Sequence, residues 1–338
     1  MRVALVLASR GEGGLEKHVI ELANGLAHRD IEVCLIADPM YASRLSARVR
    51  LFPTDLTVHR RHPLALYRLF RLLRQVHPQI IHAHGSKAAS MVSGILPFLP
   101  RIHSVATLHN TKSNARMFAR FDLVIAVSHA AAKSLDHSGI RIIHNGIDPA
   151  LSATPPAVDA WPTAPHRPRV LAIGRLVPAK GFDILIRAWE TVDAHLAIAG
   201  EGAEREKLQA LIKEKGQQDK VTLLGHRNDV DSLLNAADLF VISSHYEGGP
   251  YTLIEALQHR VPVVSTPVGA VVEILPEPFI CPAGDPVALA ERVNHVLEDI
   301  AQATQALAPV FAYARTGLTL AHVLNRTTSV YEELLNRS

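Results

Sequence analysis

An α/β architecture of two doubly wound halves is predicted by three features of the 338-residue chain. Short apolar runs alternate with amphipathic stretches of helical spacing, a proline-rich segment divides that alternation, and each half opens on an apolar run leading into a glycine-bearing turn.

The first run, Val3 to Ala8, ends at Ser9-Arg10-Gly11 without a cleavage-type tail, so it reads as a buried first strand rather than a signal peptide. A helix follows from about Gly14 to Ala27. Strand-sized runs then come at Glu32 to Ala37, Ile80 to Ala83, Ser104 to Leu108 and Leu123 to Val127. Ser128 opens a helix expected to end near Gly139, and Ile142 to Asp148 reads as a strand running into a turn. From Ala150 to Pro168 the chain has five prolines (155, 156, 162, 165 and 168) and little periodicity, the pattern of an interdomain linker. A second series of strands begins at Arg169 to Gly174 and continues through His195 to Gly200, Val221 to Leu224, Leu239 to Ile242 and Pro262 to Ser265. The expected organisation is therefore a domain over 1–150, a linker over 151–168, a domain over 169–319 and a carboxy-terminal helix over 320–338 that docks back on the first domain. Two such halves leave a cleft, with ligand groups gathered at the carboxyl ends of strands.

Composition narrows the function. At 48% hydrophobic residues the chain can build large cores, and no run approaches the ~20 apolar residues a bilayer crossing needs. Two cysteines, Cys34 and Cys281, lie in separate apolar runs and read as small buried hydrophobes; the expected location is the cytoplasm. Net charge is uneven. Residues 1–150 carry 19 Lys/Arg against 10 Asp/Glu, and the remainder 16 against 22. A basic first half points to an anionic partner, but no basic run is interleaved with aromatics, so nucleic acid is not expected.

Several constellations carry chemistry. Glu247-Gly-Gly-Pro-Tyr-Thr-Leu-Ile-Glu255 sets two carboxylates around a glycine pair and a helix start, with Pro250 suited to the first helical position and amides free to face an anion. Gly174-Arg175-Leu-Val-Pro-Ala-Lys180-Gly181 puts two cations in the turn after a strand, where they can neutralise two phosphates without a metal. Arg10 to His18 holds Gly13-Gly14 in a strand-to-helix turn, which alone is as well explained by connection as by phosphate binding. His109 stands at a strand end in Thr107-Leu-His-Asn110, where a satisfied core histidine is the usual reading. Asp229-Val-Asp231 could hold a divalent ion, but Asn228 or Asp229 capping the next helix is the simpler account. No cysteine and histidine pattern of zinc spacing appears.

Taken together, these segments resemble the retaining glycosyltransferases of the family 4 type, also called glycosyl transferases group 1, with the GT-B fold of two Rossmann-like domains facing a central cleft. The matches are Gly-Gly-x-Glu at 13–16, Thr-x-His at 107–109, Ile143 to Asp148, Gly-Arg-Leu-x-x-x-Lys-Gly at 174–181, Gly200-Glu-Gly202, and Glu-x7-Glu at 247–255. Where many relatives have Gly-Phe-Gly, this chain has Gly248-Gly249-Pro250-Tyr251. The resemblance implies a nucleotide-sugar donor, expected to be a UDP-sugar, with no cofactor and no metal. It places the diphosphate on Arg175, Lys180, the Gly13-Gly14 loop and the turn Gly249-Pro250-Tyr251-Thr252, where every residue but Pro250 has an amide N–H to offer. Glu247 and His109 would meet the transferred sugar, Glu255 the ribose, and the turn at Gly225-His-Arg227 the base. The acceptor implied is a glycan or lipid-linked saccharide of cell-envelope polysaccharide or lipopolysaccharide synthesis. A nucleotide-sugar epimerase of the same fold and a non-catalytic sugar-nucleotide-binding subunit are the alternatives.

His59 to His77 mixes Arg60, Arg61, Arg68, Arg71 and Arg74 with leucines at helical spacing. It reads as a surface helix burying its leucines, and also as an interfacial helix whose arginines meet anionic lipid at the inner membrane.

Overall fold

A computed structural model describes residues 1–100, 102–111, 115–148, 155–161 and 167–337. The chain divides into two units, one comprising Met1–Gly146 and Thr319–Ser338, the other Ile147–Leu318. Residues 151–154 and 162–166 of the expected linker, including Pro162 and Pro165, lie outside the described residues.

Unit 1 is a seven-stranded parallel sheet. Its strands are β1 (Arg2–Leu7), β2 (Glu32–Ala37), β3 (Arg50–Pro53), β4 (Ile80–His84), β5 (His103–Leu108), β6 (Leu123–Ala126) and β7 (Ile140–Ile142), in the order β3-β2-β1-β4-β5-β6-β7. Strand β3 has no counterpart in the sequence reading, because Arg50-Leu-Phe-Pro is a short edge strand without an apolar run. The order reverses between β1 and β4, the point where such sheets open a crevice. Side chains alternate between two cores. Val3, Leu5 and Leu7 join the helices Gly14–Ala27 and Leu320–Leu335 on one face, and Ala4 and Val6 join Pro63–Val76 and Gly85–Ile95 on the other. On the first face, β4 carries His82 and His84 where that alternation calls for apolar residues, both fully buried.

The carboxy-terminal helix packs within unit 1. Gly25 gives it room, since a Cβ there would meet the Leu324 side chain. Arg141 grips Glu333 through two bonds, and Arg29 Nη1 donates to Asn325 Oδ1 at 2.6 Å.

The helix expected from Ser128 to Gly139 is one turn long, His129–Ala132. Ser128 caps it by accepting from Ala131 N at 3.1 Å, but Ser134 Oγ bonds the Ala131 carbonyl at 2.7 Å, and His137 Nδ1 accepts from Gly139 N. Side chains here offer the backbone partners that a longer helix would supply. The strand that follows is accordingly shifted to 140–142, earlier than its apolar pattern suggested.

Unit 2 holds a five-stranded parallel sheet of β8 (Arg169–Ile173), β9 (His195–Ala199), β10 (Val221–Gly225), β11 (Leu239–Ile242) and β12 (Val263–Ser265), in the order β10-β9-β8-β11-β12. Residues 155–161 are part of it. Ala157, Ala160 and Trp161 are buried, with Ala157 N bonded to the Ser232 carbonyl at 3.0 Å. Here the order reverses between β8 and β11.

Candidate active site

The turn after β8 and the loop after β11 meet at the reversal point of unit 2. Gly181, at φ +61°, ends the first, and a Cβ there would land on the Ser243 carbonyl of the second. His245 N donates to the Ala179 carbonyl at 2.8 Å, and Ser243 Oγ donates to the Lys180 carbonyl at 2.9 Å. The clamped loops bring Lys180 and Glu247 into contact, and Lys180 Nζ donates to Glu247 Oε1. Ser244 Oγ donates to the same oxygen at 3.0 Å. Their side chains are only 20% and 15% exposed, so this ion pair is shielded more than a surface one. The Lys180 stem lies over Gly174, where a Cβ would come within 3.0 Å of Cε. Arg175, next to Gly174 in the chain, is exposed.

Glycine-bearing loops support this arrangement. Gly200, at φ +145°, abuts the Gly174 carbonyl, and Gly269 abuts the Gly248 carbonyl, which also accepts from Ala270 N at 2.9 Å. Thr266 Oγ1 donates to the Ser244 carbonyl at 2.6 Å. The helix after Gly248-Gly249 runs Tyr251–Gln258, with Glu255 and Thr252 within it. Pro250 is its N-cap, with extended ψ of 122°, not its first helical residue. Proline's fixed φ suits either position, and the extended ψ moves the helix start one residue later.

Arg227, expected at the nucleotide base, is held by Asp229 through bonds of 2.7 and 2.6 Å, and the guanidinium keeps that carboxyl below its usual range. Asp229 occupies the N-cap position but makes no capping bond, because its carboxylate is spent on Arg227. Asp231 accepts from His259 Nε2 at 3.0 Å, so both carboxylates of the Asp-x-Asp are engaged by side chains.

In unit 1 the loop after β1 is closed by Glu16, a residue sequence reading used only as part of a motif. Its carboxylate accepts from Gly13 N at 2.9 Å and from Ser9 Oγ at 2.6 Å, so the Gly13 amide that was expected to face a phosphate is already bonded. The Gly11 amide donates to Tyr41 Oη at 3.0 Å. The spacing of Gly13 and Glu16, that of a capping box, is the signal that could have found this. His109 lies just past β5 and joins a group of imidazoles that sequence reading did not assemble. Its ring centroid is 4.7 Å from that of His18 and 5.8 Å from that of His84. Behind them His82 bonds Tyr331 Oη and Thr107 Oγ1, each at 2.6 Å. Burial lowers the pKa of all four, His18 to about 4 and His82 to about 3, so they are neutral at pH 7.

The profile of the family described as Glycosyl transferases group 1 matches residues 158–307, and that of Glycosyltransferase Family 4 matches residues 12–151. Among curated proteins, the lipopolysaccharide core biosynthesis glycosyltransferase LpsE of Rhizobium meliloti is 27% identical over 75% of this chain and 76% of its own length. The lipopolysaccharide core biosynthesis mannosyltransferase LpcC of Rhizobium leguminosarum is 27% identical over 75% of this chain and 79% of its own length. Among solved structures, Anabaena Alr3699/HepE in complex with UDP superposes with a TM-score of 0.84 at 22% identity, covering 98% of this chain and all of that one. Its fold and those of its neighbours are the two Rossmann-like domains of GT-B proteins.

Proposed function

The chain belongs to the glycosyl transferases of group 1, and from that membership we propose that it moves a sugar, with retention of configuration, from a UDP-sugar to a saccharide or lipid-linked acceptor. Support for the acceptor class comes from LpsE and LpcC, both proteins of lipopolysaccharide core biosynthesis. Support for the donor class comes from HepE, solved with UDP and with UDP-glucose.

The observation that carries the reading is the Lys180–Glu247 pair at the reversal point of unit 2. A retaining transfer breaks the bond between the sugar's anomeric carbon and the pyrophosphate oxygen. The acceptor oxygen bonds that carbon from the same face, and its proton passes to the departing phosphate. Negative charge grows on the leaving group, and Lys180 with Arg175 offers fixed positive charge to it at no cost of reorganisation. When Lys180 turns to the phosphate, Glu247 is released toward the sugar's hydroxyls while Ser244 still holds one of its oxygens. In this reading Glu255 takes the ribose, the amides of Gly249, Tyr251 and Thr252 take phosphate oxygens, and His109 contacts the sugar. These side-chain cations do the work a metal does elsewhere, and no side chain need act as a strong base.

The test uses purified Lys180→Ala and Glu247→Ala. Each should melt within a few degrees of the parent yet lose transfer by at least about 100-fold, the scale of removing one preorganised charge partner. A UDP-sugar should raise the parent's melting temperature. Near-normal turnover in either folded variant would contradict the assignment.

A further inference from the structure

Three imidazoles in unit 1, two of them buried and His109 partly so, converge from three different elements. His18 comes from the second turn of the helix Gly14–Ala27, His84 is the last residue of β4, and His109 is the first residue past β5. One ring nitrogen from each lies within 4.8 Å of those of the other two.

Their hydrogen bonding is incomplete in a specific way. His84 is 1% exposed, and among the described residues neither of its ring nitrogens has a hydrogen-bond partner; His109 Nε2 also has none. Leaving a buried polar nitrogen unpaired is unfavourable, and an apolar residue at β4's end would avoid it. His82, by contrast, is satisfied at both nitrogens. The Asn145 side chain lies within hydrogen-bonding reach of His18, the place an outer partner takes beside a metal-bound imidazole.

We propose that His18, His84 and His109 form a binding site for one late first-row transition-metal ion, of which Zn²⁺ is the expected occupant. The donors are all nitrogen, with no carboxylate among them, which favours Zn²⁺, Cu²⁺ or Co²⁺ over Mg²⁺ and Ca²⁺. Burial keeps the imidazoles neutral, the form that ligates. Zn–N bonds of about 2.0–2.1 Å put tetrahedral ligand atoms roughly 3.4 Å apart, so each ring need move inward by less than about 1 Å. Three ligands leave a fourth position for water. The site stands on unit 1 alone; it shares His109 with the sugar contact proposed above, so its test reads metal binding and not transfer.

The test is a titration of the full-length chain, its affinity tag removed and its metal stripped by chelator, with Co²⁺. The expected result is the visible absorption of a tetrahedral site saturating at one ion per chain and abolished by Zn²⁺. His18→Gln and His84→Gln should each weaken binding at least about 10-fold, and the exposed His295→Gln should not change it. Because the chain has 19 histidines, an absorption that survives both substitutions in folded protein belongs to other imidazoles and overturns the site. No absorption with millimolar Co²⁺ overturns it as well. Circular dichroism checks the fold of each variant, and should His84→Gln not fold, His18→Gln with His109→Gln gives the decision.

Discussion

Gly181 shows how much a single backbone position decides. It holds φ at +61°, where an L side chain costs about 1–2 kcal/mol, and a Cβ would also collide with the Ser243 carbonyl. Gly181→Ala should therefore destabilise unit 2 by about 2 kcal/mol or more and, by parting the two loops, separate Lys180 from Glu247. The expected outcome is a melting point several degrees lower together with weaker donor binding, checked by thermal unfolding with and without UDP-sugar. An unchanged melting point would show that the loops tolerate the side chain. Lys180, Glu247 and the glycines were all legible as residues, because each belongs to a short motif with its own turn chemistry. That Lys180 and Glu247 hold each other was not legible, since 67 residues separate them and their meeting depends on strand order.

At the level of elements, the helix Pro63–Val76 has one face inside and one outside. Ala65, Leu69, Leu73 and Val76 are buried, as its leucine spacing predicted. The outer face carries Arg68 and Arg71 with Leu64 and Tyr67, which are 60% and 56% exposed. Apolar residues beside arginines on a solvent face are what an interfacial helix needs to sink into a headgroup layer. No helix among the described residues is long and apolar enough to cross a membrane. We predict flotation with anionic vesicles and not with neutral ones. Arg68→Glu combined with Arg71→Glu should abolish it, by about 1 kcal/mol lost for each arginine near the surface. Equal flotation on both vesicle types would remove the idea. Elements whose periodicity runs three turns or more, such as this helix and Leu320–Leu335, were read with correct bounds or nearly so. The stretch 128–139 misled because serine and histidine side chains compete for its backbone, an effect that hydrophobic spacing does not register.

Across the whole molecule, the clustered histidines of unit 1 make stability depend on acid. The unfolded chain binds protons at each as pH falls below about 6.5, whereas His18 resists to about 4 and His82 to about 3. Their folded pKa values are depressed, so the stability they contribute is present above 6.5 and lost as pH falls toward 4. Between pH 7 and pH 5, His18 and His82 should each cost unit 1 up to about 2 kcal/mol, read as a lower urea midpoint. Tyr331→Phe, which removes one bond to His82, should make that decline begin from a lower plateau. A midpoint that does not move between these pH values would mean the imidazoles are not held neutral. Unit 2 is linked to unit 1 at both ends, and those ends meet: Ile147 N donates to the Leu318 carbonyl at 3.2 Å.

Most of the strands and the longer helices, the division of the chain into two α/β series and the glycine, lysine and glutamate motifs of the candidate site were determined by sequence alone. Each rests on residues close together along the chain, where helical and strand periods and the steric freedom of glycine act locally. Tertiary structure decided the rest: that Glu16 closes the first glycine loop, that Asp229 takes Arg227, that Ser244 and Lys180 share one oxygen of Glu247, and that His18, His84 and His109 converge. The histidine cluster and the Lys180–Glu247 contact join residues brought together by parallel strands at a point where strand order reverses. Sequence spacing carries no trace of which strand ends will be neighbours there, because that is set by how whole helices cover the sheet.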